Sequence, residues 1–221
     1  MIANKQLYNK QLESIVARDA IKEIRREQLI EATIDVIARK GFSELTLADV
    51  AETAKLSTGI VSFYFKSKDA LLNATLQTMI GEYRKRWRAS VDSAPPSPAA
   101  KITAMLEGDF QRQVANRKTV TVWYAFWGEA RWRPDFMALC QELNREFQSV
   151  AADLFAQLGV AEPMLIAKGF SAMSDGLWLD MLINPKETDR DVARRVVRTF
   201  LHGLFPDHFA ADVGEAATSA A

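Results

Sequence analysis

The reading of the fold turns on Thr46-Leu-Ala-Asp-Val-Ala-Glu-Thr-Ala-Lys-Leu-Ser-Thr-Gly-Ile-Val-Ser-Phe-Tyr-Phe65. Thr46 suits the N-cap of a short helix through Ala54, and Asp49, three residues on, is a shorter relative of the capping-box acid. Ser57 caps a second short helix through about Phe65. Only Lys55-Leu56-Ser57 joins the two, which is the geometry of a helix-turn-helix. The inner faces are apolar: Leu47, Val50 and Ala51 on the first helix, Ile60 and Val61 on the second, with Phe65 packing against the first. The outer face of the second helix is small and polar, from Ser57, Thr58 and Gly59 to Ser62, then Phe63 and Tyr64. Small residues let a helix sink into a major groove, where hydroxyls and N–H groups reach phosphates and base edges.

The pattern on both sides is helical. Ile30, Ile34 and Ile37 recur at helical spacing, predicting a helix from about Asp19 to Lys40. Arg39 and Lys40 suit its C-terminal dipole and Gly41 its left-handed cap. Downstream, Ser67 caps a long helix with Asp69 in its first turn. Leu72, Leu76, Met79, Tyr83 and Trp87 form its apolar stripe to about Asp92, nearly ~40 Å at ~1.5 Å per residue. Ser93-Ala-Pro-Pro-Ser-Pro98 then breaks the chain. Further helices are expected over 99–113, 118–131, 134–158, 163–182 and 189–204, two of them opened by Pro134 and Pro163. The predicted fold is all-α: an N-terminal three-helix helix-turn-helix DNA-binding domain (19–66), a connecting long helix (67–92), and a C-terminal helical ligand-binding and dimerisation domain (93–206). Residues 1–18 are expected as an arm and 207–221 as a tail, both lacking fixed structure.

Composition narrows the function. The chain has 221 residues and zero formal net charge. Residues 1–88 carry 15 Lys/Arg against 11 Asp/Glu, and residues 89–221 carry 13 against 17, a basic head on an acidic body. Cys140 is the single cysteine, which excludes an intrachain disulfide and a thiolate cluster. His202 and His208 are six apart, not the three or four of a metal-binding helix, so no metal or cofactor is expected. No signal peptide and no run of 18 apolar residues is found, so the expected compartment is the cytoplasm, with no membrane partner. An enzyme is not expected: the chain lacks a metal ligand set, a paired nucleophile and base, and a Gly-rich phosphate loop.

Three strings together resemble the TetR family of repressors: Thr46-Leu-Ala-Asp-Val-Ala, Leu56-Ser-Thr-Gly-Ile-Val-Ser-Phe-Tyr-Phe and Lys66-Ser-Lys-Asp-Ala-Leu-Leu. The resemblance covers about Arg25 to Leu76. It implies that Thr46, Ser57, Thr58, Ser62, Phe63, Tyr64 and Lys68 contact double-stranded DNA, mostly at phosphates, with Gly59 at the groove. Arg25 and Arg26 either touch flanking phosphates or form a solvated face; Lys5, Lys10 and Arg18 either add phosphate contacts or do nothing. The family binds palindromic operators as C2 homodimers, with recognition helices about one helical turn apart, ~34–36 Å. Its dimer contacts come from the last two long helices. Here Ile166, Phe170, Met173 and Leu177 form one stripe, and Val192, Val196, Val197, Phe200 and Leu204 another; each serves core, interface or both.

The body is rich in tryptophan. Trp123-Tyr-Ala-Phe-Trp127 is followed by Glu129 and Trp132, and later by Asp175-Gly-Leu-Trp-Leu179. Trp123 and Trp127 are one helical turn apart, and Asp175 shares a face with Trp178. Aromatic faces beside a carboxylate suit a quaternary ammonium, which has no N–H to donate and is held by ring quadrupoles. Trp123, Trp127, Trp178 and Tyr124 are the candidate ligand-binding rings and Asp175 or Glu129 the counter-charge; the alternative for the tryptophans is core packing. Trp87 and Trp132 read as packing or as part of a domain seam. The two strings resemble the choline-responsive branch of the family, which controls glycine betaine synthesis from choline. Its implied function is a DNA-binding repressor released by a small-molecule inducer, choline or a related cation. The rivals are a regulator of the same fold sensing a bulkier apolar or aromatic compound, and a helical ligand-binding or scaffolding protein that does not read DNA.

Overall fold

The computed structural model describes the backbone of residues 2–210 and the side chains of residues 19–210. Among the described residues every regular element is a helix: α1 (Ile2–Lys40), α2 (Leu47–Thr53), α3 (Thr58–Tyr64), α4 (Lys68–Ser93), α5 (Pro98–Gly108), α6 (Arg117–Ala130), α7 (Pro134–Gln157), α8 (Pro163–Ile183) and α9 (Arg190–Leu204). The chain divides into two compact units, and the division falls inside α4, between Thr78 and Met79. None of the described helices is long and apolar enough to cross a membrane.

The first unit is built on the expected apolar faces. Leu29, Val36 and Ile37 of α1, Val50 of α2, Val61 of α3 and Leu71 and Leu72 of α4 are buried, and so is Phe65. The Arg26 guanidinium of α1 lies 5.9 Å from the Phe65 ring centre. Thr46 and Asp49 form a complete capping box: the Asp49 N–H donates to Thr46 Oγ1 at 3.1 Å, and the Thr46 N–H to Asp49 Oδ2 at 3.2 Å. α2 ends in a Schellman motif, in which the Leu56 N–H donates to the Ala51 carbonyl and the Lys55 N–H to that of Glu52. Lys55 takes the left-handed position, with φ +54°.

In the second unit, α5, α6 and α8 pack on α7, and α9 packs on α5 and α8. Phe126, Phe136 and Phe155 are fully buried, as are Val122 and Ala193. Three sequence expectations change here. α5 stops at Gly108 instead of running to Gln113. Asp109 and Phe110 turn inward instead, and both are buried; the partners that hold them are far away in sequence. Trp132, read as packing or seam, stands 74% exposed between α6 and α7, with the Arg131 guanidinium 5.2 Å from its ring centre. Phe209, assigned to the tail, is buried, and its carbonyl lies 2.8 Å from His202 Nδ1. The tail beyond Ala210, and the side chains of Lys5, Lys10 and Arg18, lie outside the described residues; the backbone of α1 extends to Ile2 rather than beginning at Asp19.

Candidate functional sites: an exposed recognition helix and a closed aromatic box

Ser57, Thr58, Gly59, Ser62 and Phe63 form one exposed face of α3, and Tyr64 is half-buried beside it. Phe63 is 75% exposed, an unusual place for a benzyl group unless something covers it. Ser57 Oγ accepts from the Ile60 N–H at 3.4 Å, so the hydroxyl proton stays available to an acceptor outside the protein. Gly59 has open space where a Cβ would stand, the nearest atom being Ser57 Oγ at 3.8 Å.

Two of the residues read as DNA contacts have internal duties. The Thr46 hydroxyl accepts from the Asp49 N–H and donates to Asp49 Oδ2, so its work is to cap α2. Asp49 also accepts from Lys40 Nζ at 2.5 Å. That bond first, and the Thr46 hydroxyl second, hold its carboxyl down at about 2. Lys68 Nζ donates to the Leu45 carbonyl at 2.6 Å, tying the loop before α2 to the start of α4. An ammonium has three donors, so two remain for a phosphate. Arg25 bonds Gln28, and Arg26 pairs with Glu23.

In the second unit, five rings converge from four helices: Tyr83 of α4, Trp123 and Trp127 of α6, Phe147 of α7 and Trp178 of α8. Trp127 and Trp178 are stacked, with centres 6.1 Å apart and planes 10° apart. Tyr83 stands edge-on to Trp123 and to Trp178, each at 6.0 Å. Leu143, Asn144, Ser171, Asp109 and Asp175 complete the lining, and no Lys, Arg or His is part of it. The space between them is about 20 Å³, the room of one water, and Trp127 and Asp175 on its rim are half-exposed.

The acids are the polar heart of this box. The Tyr83 hydroxyl donates to Asp109 Oδ1 at 2.6 Å, and Trp178 Nε1 donates to the Asp109 carbonyl at 3.0 Å. Burial pushes the Asp109 carboxyl up to about 7; the Tyr83 and nearby Ser174 hydroxyls oppose the rise and the Asp175 charge adds to it. Burial likewise lifts Asp175 to about 6. The Ser174 hydroxyl is buried without a well-formed hydrogen bond. Tyr124 turns away from the cavity and donates to the Asp175 carbonyl, with its ring edge-on to Trp127 at 5.0 Å. Burial, then the Asp175 charge, raises its phenol to about 12. Glu129 is not brought to the box: its carboxylate lies 3.8 Å from Arg133, one turn on.

Trp123, Trp127, Asp175 and Trp178 therefore meet as the spacing suggested. Tyr83, Asp109 and Phe147 were not singled out as ligand residues. Tyr83 lay in the long helix's apolar stripe, where a phenol reads as core. Asp109 carried no distinguishing signal: it follows Glu107 and Gly108 and precedes Phe110, Gln111 and Arg112, among which an acid reads as surface.

A helix-turn-helix with an exposed second helix in one unit, together with a helical second unit, is the build of a DNA-binding regulator. Residues 29–75 match the bacterial regulatory proteins of the tetR family, and residues 98–206 match the C-terminal domain of BetI-type transcriptional repressors. The HTH-type transcriptional regulator BetI of Paraburkholderia phytofirmans is 34% identical over 185 residues, covering 82% of this chain and 93% of that one. A solved regulator from Pseudomonas aeruginosa PAO1 superposes with a TM-score of 0.74 at 26% identity, over 82% of this chain and 90% of that one. One from Saccharomonospora viridis, in complex with choline, gives 0.71 at 20% identity, over 80% and 95%. The chain belongs to the TetR family, in its BetI-type branch, and is a transcriptional regulator rather than an enzyme.

Proposed function

We propose that the chain represses transcription as a cytoplasmic homodimer on a palindromic operator and is released by choline or a closely related quaternary ammonium. The observation that carries the ligand is the box itself: five aromatic rings, the buried Asp109 carboxyl and the half-buried Asp175 carboxyl, with no basic side chain among them. A permanent cation is the guest such a lining favours. Each ring contributes about 0.5–2 kcal/mol to a desolvated cation, and a carboxylate balances its charge. A bulky apolar compound would offer neither acid a counter-charge. The choline complex of the Saccharomonospora viridis regulator, which shares the fold, points the same way.

The size of the box supplies the mechanism. A space of about 20 Å³ admits no organic cation until the rings part. Tyr83 and Trp87, the latter packed edge-on to Phe147 at 5.6 Å, belong to α4. Ligand arrival therefore displaces the C-terminal half of a helix whose first residue, Lys68, holds the loop before α2. The contacts offered to DNA are Ser57, Thr58, Ser62, Phe63, Tyr64 and the spare donors of Lys68, with Gly59 permitting close approach and Thr46 setting the angle of α2. The ligand shifts repression only by its differential affinity for the two states, typically 1–3 kcal/mol.

For the homodimer, α8 offers an exposed apolar face. Leu165, Gly169, Ala172, Gly176, Leu179 and Ile183 are all exposed and fall on one helical stripe, with Phe200 and Leu204 exposed on α9. Phe170 and Val197, part of the stripes read from sequence, point inward. The test of the whole reading is operator affinity, on DNA upstream of the chain's own gene, with and without millimolar choline. A fall of about tenfold or more is expected; equal affinities would overturn choline as inducer.

A further inference from the structure

The box holds more negative potential than its guest needs. A quaternary ammonium brings one positive charge, yet two carboxyl groups, from the turn after α5 and from α8, line the same water-sized space. Asp109 is 2% exposed. Among the described residues, no Lys, Arg or His lines the space beside the pair. From α4 comes the Tyr83 hydroxyl, a donor. From α6 comes Tyr124, whose hydroxyl serves the Asp175 carbonyl. α7 offers Asn144, while its Glu146 is turned to Arg84 and Arg88. On α9, Arg194 bonds the Phe110 carbonyl and Asp191. At the end of α5, Glu107 is held by Arg198. Two carboxylates lining one small space, one of them buried, cannot both ionise cheaply without a cation between them.

We propose that the empty box keeps a proton on the Asp109–Asp175 pair, and that the entering quaternary ammonium expels it to solvent, so that inducer sensing is also proton-linked. The exchange balances: a neutral carboxylic acid and a monocation become an ion pair, and one proton passes to the buffer. This deepens the proposed function and rests on the box being the cation site. Burial pushes both carboxyls up, to about 7 for Asp109 and about 6 for Asp175, which places the exchange within physiological pH. The sign follows from mass action. When the free protein holds the proton and the complex does not, lowering pH competes with the ligand, and raising pH favours it until the free pair is already ionised.

Choline is the right probe, because its ammonium has no proton to lose and any proton released belongs to the protein. Titration calorimetry of the full chain with choline chloride, in phosphate and in Tris at the same pH, reads the release as a difference in heat. Near pH 6.5 most of one proton per choline is expected, declining above pH 8. The Kd is expected to fall by up to about tenfold per pH unit between pH 5.5 and 7 and then to level. Asp109→Asn and Asp175→Asn, checked for native helicity, should each flatten this profile. Choline binding with identical heats in both buffers and a flat Kd overturns the proposal while leaving the cation box standing. The same holds if both variants keep the wild-type slope. Failure of choline to bind at any pH removes the box reading and this proposal with it.

Discussion

Gly59 shows what the recognition helix is built for. A glycine inside a helix costs about 1 kcal/mol relative to alanine, and nothing in the folded unit requires it: a Cβ there would meet only Ser57 Oγ, at 3.8 Å. Lys55, four residues earlier, is the opposite case, a lysine in the left-handed conformation where glycine would fit better. The chain thus tolerates strain at a turn and spends a glycine on an exposed helix face. Close approach of another surface is the physical reason for the second choice. Gly59→Ala is expected to raise the thermal midpoint slightly, by up to about 1 kcal/mol in stability, while weakening operator binding severalfold. Thermal melts and a DNA titration on the same preparation check both halves; unchanged operator affinity would show that α3 does not lie that close to DNA. Residue types on α3 were readable in the sequence because capping and exposure are local. Asp109 was not, because its partners Tyr83 and Trp178 lie 26 and 69 residues away. Glu129 is the reverse case: its partner Arg133 stands only one turn on, and that local ion pair keeps its carboxylate out of the box.

At the scale of elements, α4 is where sensing meets reading. Its C-terminal half is held to α7 by Glu146, which takes Arg84 Nε at 2.5 Å and Arg88 Nε at 2.9 Å. Partial burial works against the Glu146 charge, but Arg88 and Arg84 outweigh it and keep the carboxyl below its usual range. Phe147, the next residue, is one wall of the box. If these ion pairs belong to the closed box, Glu146→Gln shifts the balance toward the open one before any ligand arrives. The expected outcome is a severalfold lower choline Kd and, by linkage, a severalfold weaker operator affinity of the ligand-free protein. Tryptophan fluorescence and DNA binding measure the two; movement of only one of them would break the linkage. The helix pattern itself was largely legible, since nearly every boundary carried a cap, a proline or a glycine. α5 is the exception. Its end is set by Gly108, where a Cβ would stand 3.2 Å from Ser90 Oγ of α4, and by the inward turn of Asp109 and Phe110. No local signal announces a stop that long-range packing imposes.

For the molecule as a whole, the α8 stripe decides whether one chain is enough. Gly169, Ala172 and Gly176 form a shallow channel flanked by Leu165, Leu179 and Ile183, and neither glycine has any atom within 4 Å of where its Cβ would be. Small residues at a helix surface let a second helix come close, and the larger apolar neighbours then bury against it. The family resemblance proposed α8 and α9 for the twofold contact, but the sequence pattern could not name the face, because apolar residues there exceed what one side of a helix can bury. Ala172→Arg tests the face with little cost to the single chain: the position is exposed, and arginine is nearly as good a helix former as alanine. A guanidinium in the channel would oppose a second copy by bulk and by charge. The expected result is a monomer in sedimentation, with unchanged helicity and intact tryptophan response to choline. Operator affinity should fall by two orders of magnitude or more, because each head then binds its half-site without the effective concentration its twin supplies. A dimeric Ala172→Arg protein with wild-type operator affinity would place the twofold contact elsewhere.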